Sequence, residues 1–211
     1  WSRFSEIAAA NDGAWIRKPA TPDDILRVDE RNRPIAFPYS KLMVANSSVN
    51  QGAGFLVASL AEARRHGIAE DRLIYVGMGA AAKEPASILH RDRYDGSVSM
   101  ETSINRTLEL NGMAVGDFDY VELYSCFPCV PKMARRKLGL GADRPLTVHG
   151  GLTFGGGPIG NYMMHAAAAM VRAVDADRSP GSALLVVDHT GDEAFSATVR
   201  ALGGRVLAAE A

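Results

Sequence analysis

The sequence predicts an α/β layered fold around a central sheet, and two features predict it. Short apolar, strand-like runs alternate with segments of helical periodicity, and turns rich in glycine and small polar residues join them. A length of 211 residues suffices for one substantial core or two small ones, and 47% hydrophobic with 22% charged residues is ordinary globular composition.

Taken in order, residues 2–11 carry Phe4, Ile7 and Ala8 on one helical stripe. Residues 13–38 form a connector in which Pro19, Pro22, Pro34 and Pro38 deny regular structure, while Trp15, Ile25 and Phe37 imply docking on a neighbouring surface. Residues 39–45 and 52–59 are strand-like, 60–66 a short helix closed by Gly67, and 73–78 a further buried strand. Residues 97–111 place Ile104, Leu108 and Leu110 at helical spacing and stop at Gly112. A strand follows over 119–123, then a helix over 128–138, a long helix over 158–176 and a short strand over 183–187. The reading divides the chain into a docked helix and connector, 1–38, and a domain over 39–211.

Charge excludes some functions. Lys and Arg number 23 against 24 Asp and Glu, so no basic excess draws the chain to nucleic acid or anionic lipid. The most apolar stretch, 158–174, is interrupted by Asn161, His165 and Arg172 and reads as a buried helix, not a membrane span. Two cysteines, no signal-peptide pattern and a start at Trp1 predict a reduced, cytoplasmic protein seen as a fragment whose upstream part holds half the chemistry.

Three segments could carry chemistry. The first is Asn46, Ser47, Ser48, Val49, Asn50, Gln51, Gly52 and Ala53, where small residues leave the backbone open to a ligand; it also reads as a plain β-connection. The second is Tyr124, Ser125, Cys126, Phe127, Pro128 and Cys129, between a strand and a helix N-terminus whose dipole favours a thiolate. Cys126 and Cys129 fit a redox C-x-x-C, a single working thiol beside Tyr124, or two small buried hydrophobes. No second C-x-x-C exists and His149 and His165 lack finger spacing, so no metal site is expected. The third is the glycine-rich run from His149 to Asn161, with Pro158 suited to the first turn of the long helix; it lacks the context of a dinucleotide fingerprint. His66 and His90 read as surface residues, His165 as core-facing and satisfied, and His189 beside Asp188 as a solvated turn rather than a substitute base. Lys132, Arg135, Arg136 and Lys137 read as a solvated face rather than a site for phosphates.

In order and spacing the three segments resemble the C-terminal half of the thiolase superfamily. Asn46 to Ala53 is similar to N-x-S-G-x-N-D-G-A, 118–127 to V-E-L-N-E-A-F or V-E-L-H-D-C-F of the sterol-carrier type, and 147–160 to N-G-G-x-x-x-x-G-H-P-x-G. The likeness is greatest to thiolase-like proteins named acetyl-CoA acetyltransferases, in which Y-S-C-F-P and G-G-L-T-F-x-G-G-P recur. It implies a thiolase-like fold with a mixed five-stranded sheet covered by helices, coenzyme A or an acyl-CoA as substrate, no covalently bound cofactor, and a role in lipid metabolism. Ser48 falls on the serine that lies along the pantetheine, Cys126 on the sterol-carrier cysteine, and Tyr124 on its His or on the Asn of biosynthetic thiolases. Gly156 and Gly157 border the same groove, and Gly157 replaces the family's imidazole. Residues 186–191 stand where a C-x-G-G-G cysteine belongs, and that thiol is absent as well.

The resemblance therefore implies an acyl-CoA-dependent acyltransferase with atypical or weak catalysis. Its alternatives are a non-catalytic CoA-binding protein and an acyl-CoA retro-aldolase using Tyr124. The partners implied are an acyl-CoA, the missing N-terminal thiolase half, and a second copy or partner subunit, with neither nucleic acid nor membrane.

Overall fold

The computed structural model describes residues 1–177 and the backbone of two further strands at 184–188 and 206–210. The chain opens with helix α1, Ser2–Ala9, which buries Phe4, Ser5 and Ala8. In the connector Thr21 and Asp24 form a reciprocal capping box that starts α2, Pro22–Leu26, with proline at the position where its missing N–H costs nothing. Strands β1, Pro34–Ala36, and β2, Tyr39–Ser40, make a small antiparallel ribbon. Next come α3, Leu60–Arg65; β3, Ala80–Ala81; and α4, Val98–Asn111. The bounds of α4 follow from its ends: the Ser97 side chain accepts from Met100 N–H, and Gly112 adopts a left-handed φ of 59°. Strand β4, Tyr120–Leu123, leads to α5, Cys129–Leu138, then α6, Tyr162–Asp177, and strands β5, Leu184–Asp188, and β6, Val206–Glu210.

The main sheet runs β3-β6-β5-β4 with every pair parallel. A parallel sheet must be covered on both faces, and the sequence of β4 meets that need by alternation. Val121 and Leu123 pack with Met100 and Ile104 of α4 and with Val130, Ala134 and Leu138 of α5. Tyr120 turns to the opposite side, against the cluster of Tyr162, Met163, Ala166 and Met170 of α6, and Tyr124, just past the strand, touches both clusters. A third cluster joins Phe4, Ala8, Ala14 and Ile25 to Phe154, so the first helix and connector pack on the glycine-rich loop.

Several expectations are corrected. The α/β fold is as expected, and among the described residues its main sheet holds four parallel strands. Residues 52–59 form no strand and Leu56 is fully exposed; 73–78 hold one isolated bridge residue and are half-exposed at best. Apolar runs become strands only where another strand offers its N–H and C=O groups, and among the described residues none pairs along either run. Helix α6 begins at Tyr162, four residues later than Pro158 suggests, because Gly160 takes a left-handed φ of 71°. Of the three connector residues expected to dock, Trp15, Ile25 and Phe37, only Ile25 is buried; Trp15 is half-exposed and Phe37 stands in solvent. No helix among the described residues is long and apolar enough to cross a membrane.

Candidate functional site

Beyond the end of β4 the chain passes through Tyr124, Ser125 and Cys126 before entering α5. Three backbone hydrogen bonds tie this turn to the other two segments. Ala45 N–H donates to the Cys126 carbonyl at 3.0 Å, Asn46 N–H to the Leu152 carbonyl at 3.0 Å, and Gly157 N–H to the Asn46 carbonyl at 2.9 Å. The Ser125 hydroxyl, fully buried, accepts from Leu152 N–H at 3.1 Å. The three motif-bearing segments thus meet at the carboxyl end of β4, the end where ligands bind in open α/β sheets.

The side chains expected to act there are placed differently from one another. Tyr124 is half-buried and meets the Tyr162 ring edge-on, with centroids 5.6 Å apart. Cys126 is half-buried between the two clusters that flank β4. Cys129, expected from its place on the helix to turn inward, is exposed; its thiol hydrogen-bonds the Tyr39 hydroxyl, and this bond is the main cause holding the Tyr39 phenol above its ordinary range. Neither cysteine is in a disulfide. Ser48 is exposed, two residues past Asn46.

Gly156 and Gly157 are buried for different reasons. At Gly156 φ is 105°, and a Cβ there would lie 2.0 Å from Gln51 Oε1, so the site demands glycine on both counts. At Gly157 a Cβ would lie 3.3 Å from the Leu152 carbonyl oxygen and 3.4 Å from that of Asn46, closer than side chains usually come, so a side chain there requires the surrounding backbone to give by a few tenths of an ångström. Gly150, with φ 102°, lets α1 approach until an added Cβ would lie 2.5 Å from the Ala8 methyl group.

The residue that shapes this loop is one the sequence reading did not single out. Glu122 lies on the α6 side of β4 and is fully buried. Its Oε2 accepts from Val148 N–H at 2.7 Å, His149 N–H at 3.1 Å and Thr147 Oγ1 at 2.9 Å. Its Oε1 accepts from Tyr162 OH at 2.7 Å. Burial raises the Glu122 carboxyl above the usual carboxylate range despite these donors, and burial followed by the Glu122 charge pushes the Tyr162 phenol well above its own. The signal available in the sequence was an acid between Val121 and Leu123 in a strand that must be buried on both faces.

Two imidazoles lie beneath the loop with ring centroids 5.8 Å apart. His149 is 1% exposed, and burial, then the nearby His165 and Arg172, lowers its pKa to about 4. His165, expected to be core-facing and satisfied, is buried on α6, but its Nε2 has no hydrogen-bond partner within the protein. Burial also lowers the His165 pKa. His66 and His90 are exposed, as their hydrophilic surroundings suggest, whereas His189 lies outside the described residues. No group of three or more potential metal ligands occurs among the described residues.

Comparison with known proteins gives this geometry a context. No family model matches the chain. It is 28% identical over 142 residues to a beta-ketoadipyl-CoA thiolase of Pseudomonas putida, an alignment covering 66% of this chain and 33% of that protein. A beta-ketoadipyl-CoA thiolase of Pseudomonas knackmussii matches with the same identity and coverage. Among solved structures, a monomeric SCP2-thiolase-like protein from Mycobacterium smegmatis superposes with a TM-score of 0.75 at 32% identity, covering 88% of this chain and 40% of that one. The chain thus spans about a third of the length of the curated relatives it matches. Fold, motif order and these likenesses agree: the chain belongs to the thiolase-like superfamily, of whose longer members it spans a part.

Proposed function

We propose that this chain forms the C-terminal part of a protein that binds a CoA thioester and acts on its acyl group weakly or by an altered route. Ser48, Gly156 and Gly157 border the thioester groove, and Cys126 with Tyr124 beside it moves the proton at the carbon next to the thioester carbonyl. The observation that carries this reading is the backbone link between the Cys126 turn, Asn46 and Gly157. One substrate carbon held in that junction is within reach of both Cys126 and Tyr124. Weak chemistry follows from position 157: glycine supplies no imidazole to accept or donate a proton, and a phenol with an ordinary pKa of about 10 is a poor base at neutral pH.

The test pairs binding with turnover, using the protein that carries this chain. Calorimetry with acetyl-CoA is expected to show binding that Ser48→Trp abolishes while the fold is retained; unchanged affinity removes the groove assignment. With acetoacetyl-CoA and CoA, turnover is expected far below the typical enzyme rate of about 10 per second. Turnover at that typical rate, lost in Cys126→Ala, overturns the argument from position 157. The lack of a side chain at Gly157 also favours a second reading, a CoA-thioester-binding protein without catalysis. Gly157→His separates the two: a rise in turnover supports the weakened enzyme, and none supports the binder.

A further inference from the structure

The turn between β4 and α5 holds the only two cysteines of the chain, Cys126 and Cys129. The chain bends at Cys126 and Phe127, and Cys129 opens α5 directly after Pro128, whose backbone is already helical. Ala45 N–H anchors the Cys126 carbonyl at 3.0 Å, and Val130 N–H donates to the Phe127 carbonyl at 3.1 Å, so both ends of the turn are tied. A disulfide asks for α-carbons about 4.4–6.8 Å apart. Residues three apart lie about 5 Å apart in a helix, and the bends at Cys126 and Phe127 fold this pair toward that range instead of extending it. A C-x-x-C at the mouth of a helix is also the arrangement in which dithiol proteins make and break such a bond.

Both sulfurs lie near one phenol. The Tyr39 hydroxyl hydrogen-bonds Cys129, and its ring packs 5.4 Å from that of Phe127, the residue that follows Cys126. The hydrogen bond to Cys129 is the first cause that raises the Tyr39 phenol above its ordinary range, followed by burial and the charges that Cys129 and then Cys126 bring near it. Access differs between the two thiols: Cys129 is exposed, whereas Cys126 is half-buried between the clusters that flank β4. An oxidant arriving from solvent therefore meets Cys129 first, with Cys126 fixed in the same turn.

We propose that the pair is a modification site, at which a hydroperoxide oxidises Cys129 and Cys126 completes a reversible disulfide that withdraws its own thiol from the candidate site. The Cys129 thiolate attacks one peroxide oxygen; the O–O bond breaks, a sulfenic acid forms, and the other oxygen leaves as water with one proton. The Cys126 sulfur then attacks the Cys129 sulfur; the S–O bond breaks, the S–S bond forms, and the hydroxyl leaves as a second water with the Cys126 proton. Two thiols thus lose two electrons and one peroxide becomes two waters. The loop so closed is only a few residues long and restrains the unfolded chain little, so a dithiol reductant reverses the bond by exchange. The disulfide stands apart from the proposed reaction; only its consequence, an oxidised form that does not turn over, rests on the role given to Cys126 there.

Peptide mapping of the protein that carries this chain tests this, because trypsin releases residues 107–132 with both cysteines in one peptide. After equimolar hydrogen peroxide and then iodoacetamide, that peptide is expected to carry no alkyl group and to be lighter by two hydrogens. Dithiothreitol before alkylation restores both alkylation sites. In Cys126→Ser, Cys129 is expected to stop at the sulfenic acid and be labelled by dimedone, a label the wild type loses as its disulfide forms; circular dichroism checks that the variant folds. Two alkylated cysteines after peroxide, equal dimedone labelling of Cys129 in wild type and variant, or a disulfide joining two chains overturns the proposal. Turnover of acetoacetyl-CoA is expected to fall with the disulfide and to return with dithiothreitol. Unchanged turnover in the disulfide-bonded protein overturns the role of Cys126 in the reaction while the peptide still reports the bond, so the two failures are told apart.

Discussion

Replacing Glu122 tests whether a buried acid, and not merely its packing, holds the glycine-rich loop in place. In Glu122→Leu the Val148 N–H, the Tyr162 O–H and the Thr147 hydroxyl proton all lose the carboxylate as acceptor. His149 N–H retains a second acceptor, the Thr147 oxygen at 3.1 Å. A buried donor left unsatisfied costs about 1–3 kcal/mol. Two to three such donors, less the relief of no longer burying a carboxyl, amount to about 4 kcal/mol. In Glu122→Gln the amide oxygen can replace Oε2 toward Val148, His149 and Thr147. Its NH₂ then faces the Tyr162 oxygen, which is able to accept once its own proton turns to the neighbouring Ser125 hydroxyl. That exchange costs about 1 kcal/mol.

At this chain length 1 kcal/mol shifts Tm by about 2–4 °C, so thermal unfolding followed by circular dichroism is expected to show about 10 °C lost for Glu122→Leu and about 3 °C for Glu122→Gln. Equal losses in the two variants would refute the reasoning, because they would mean that side-chain volume rather than acceptor capacity supports the loop. The pH dependence gives an independent check. The folded-state pKa of Glu122 is raised, so its titration adds stability below the unfolded carboxyl value and removes it as pH rises through the folded value. Wild type is thus expected to lose stability relative to Glu122→Gln as pH rises.

His149 titrates with the opposite sign: its pKa is lowered from 6.5 to about 4, so its contribution is present above pH 6.5 and lost as pH falls toward 4. The shift corresponds to about 3 kcal/mol, and acid unfolding of His149→Leu is expected to be shallower than wild type across that window; superimposable profiles would contradict the burial argument. Gly156→Ala is expected to lower stability by more than about 2 kcal/mol in urea unfolding, through the clash with Gln51 and its left-handed φ, whereas Gly157→Ala, which has the close backbone contacts without a left-handed φ, costs less, about 1 kcal/mol; the reverse order would contradict the geometry.

What the sequence disclosed was local. Ser97 and Gly112 bound α4, Gly139 closes α5 with a left-handed φ of 64°, and the alternation along β4 fits a sheet covered on both sides. What it withheld depends on distant partners. Residues 52–59 and 73–78 have the composition of strands but form no ladder among the described residues, and composition does not report where a pairing neighbour lies. Glu122 resembles an interruption in an apolar strand until the loop 25–27 residues later brings it donors. Gln51 gains its importance from Gly13 and Gly155, 38 and 104 residues away. In the candidate site motif order was legible: the segments holding Tyr124 and Cys126, Asn46 and Gly157 are joined by backbone hydrogen bonds. The contact of Cys129 with Tyr39 was not, because 90 residues separate them.

The loss of the imidazole at position 157 does not leave the loop without imidazoles, since His149 and His165 lie beneath it. They are poor substitutes for a general base. In His149 the basic nitrogen, Nδ1, is committed to Asn11, and the nitrogen left over carries a proton. Burial further lowers the affinity of both rings for a second proton, so neither is suited to take one from a substrate at neutral pH. Neither buried ring therefore supplies acid–base chemistry near position 157, and under the proposed reading turnover is raised by a side chain introduced at 157 rather than by repositioning His149.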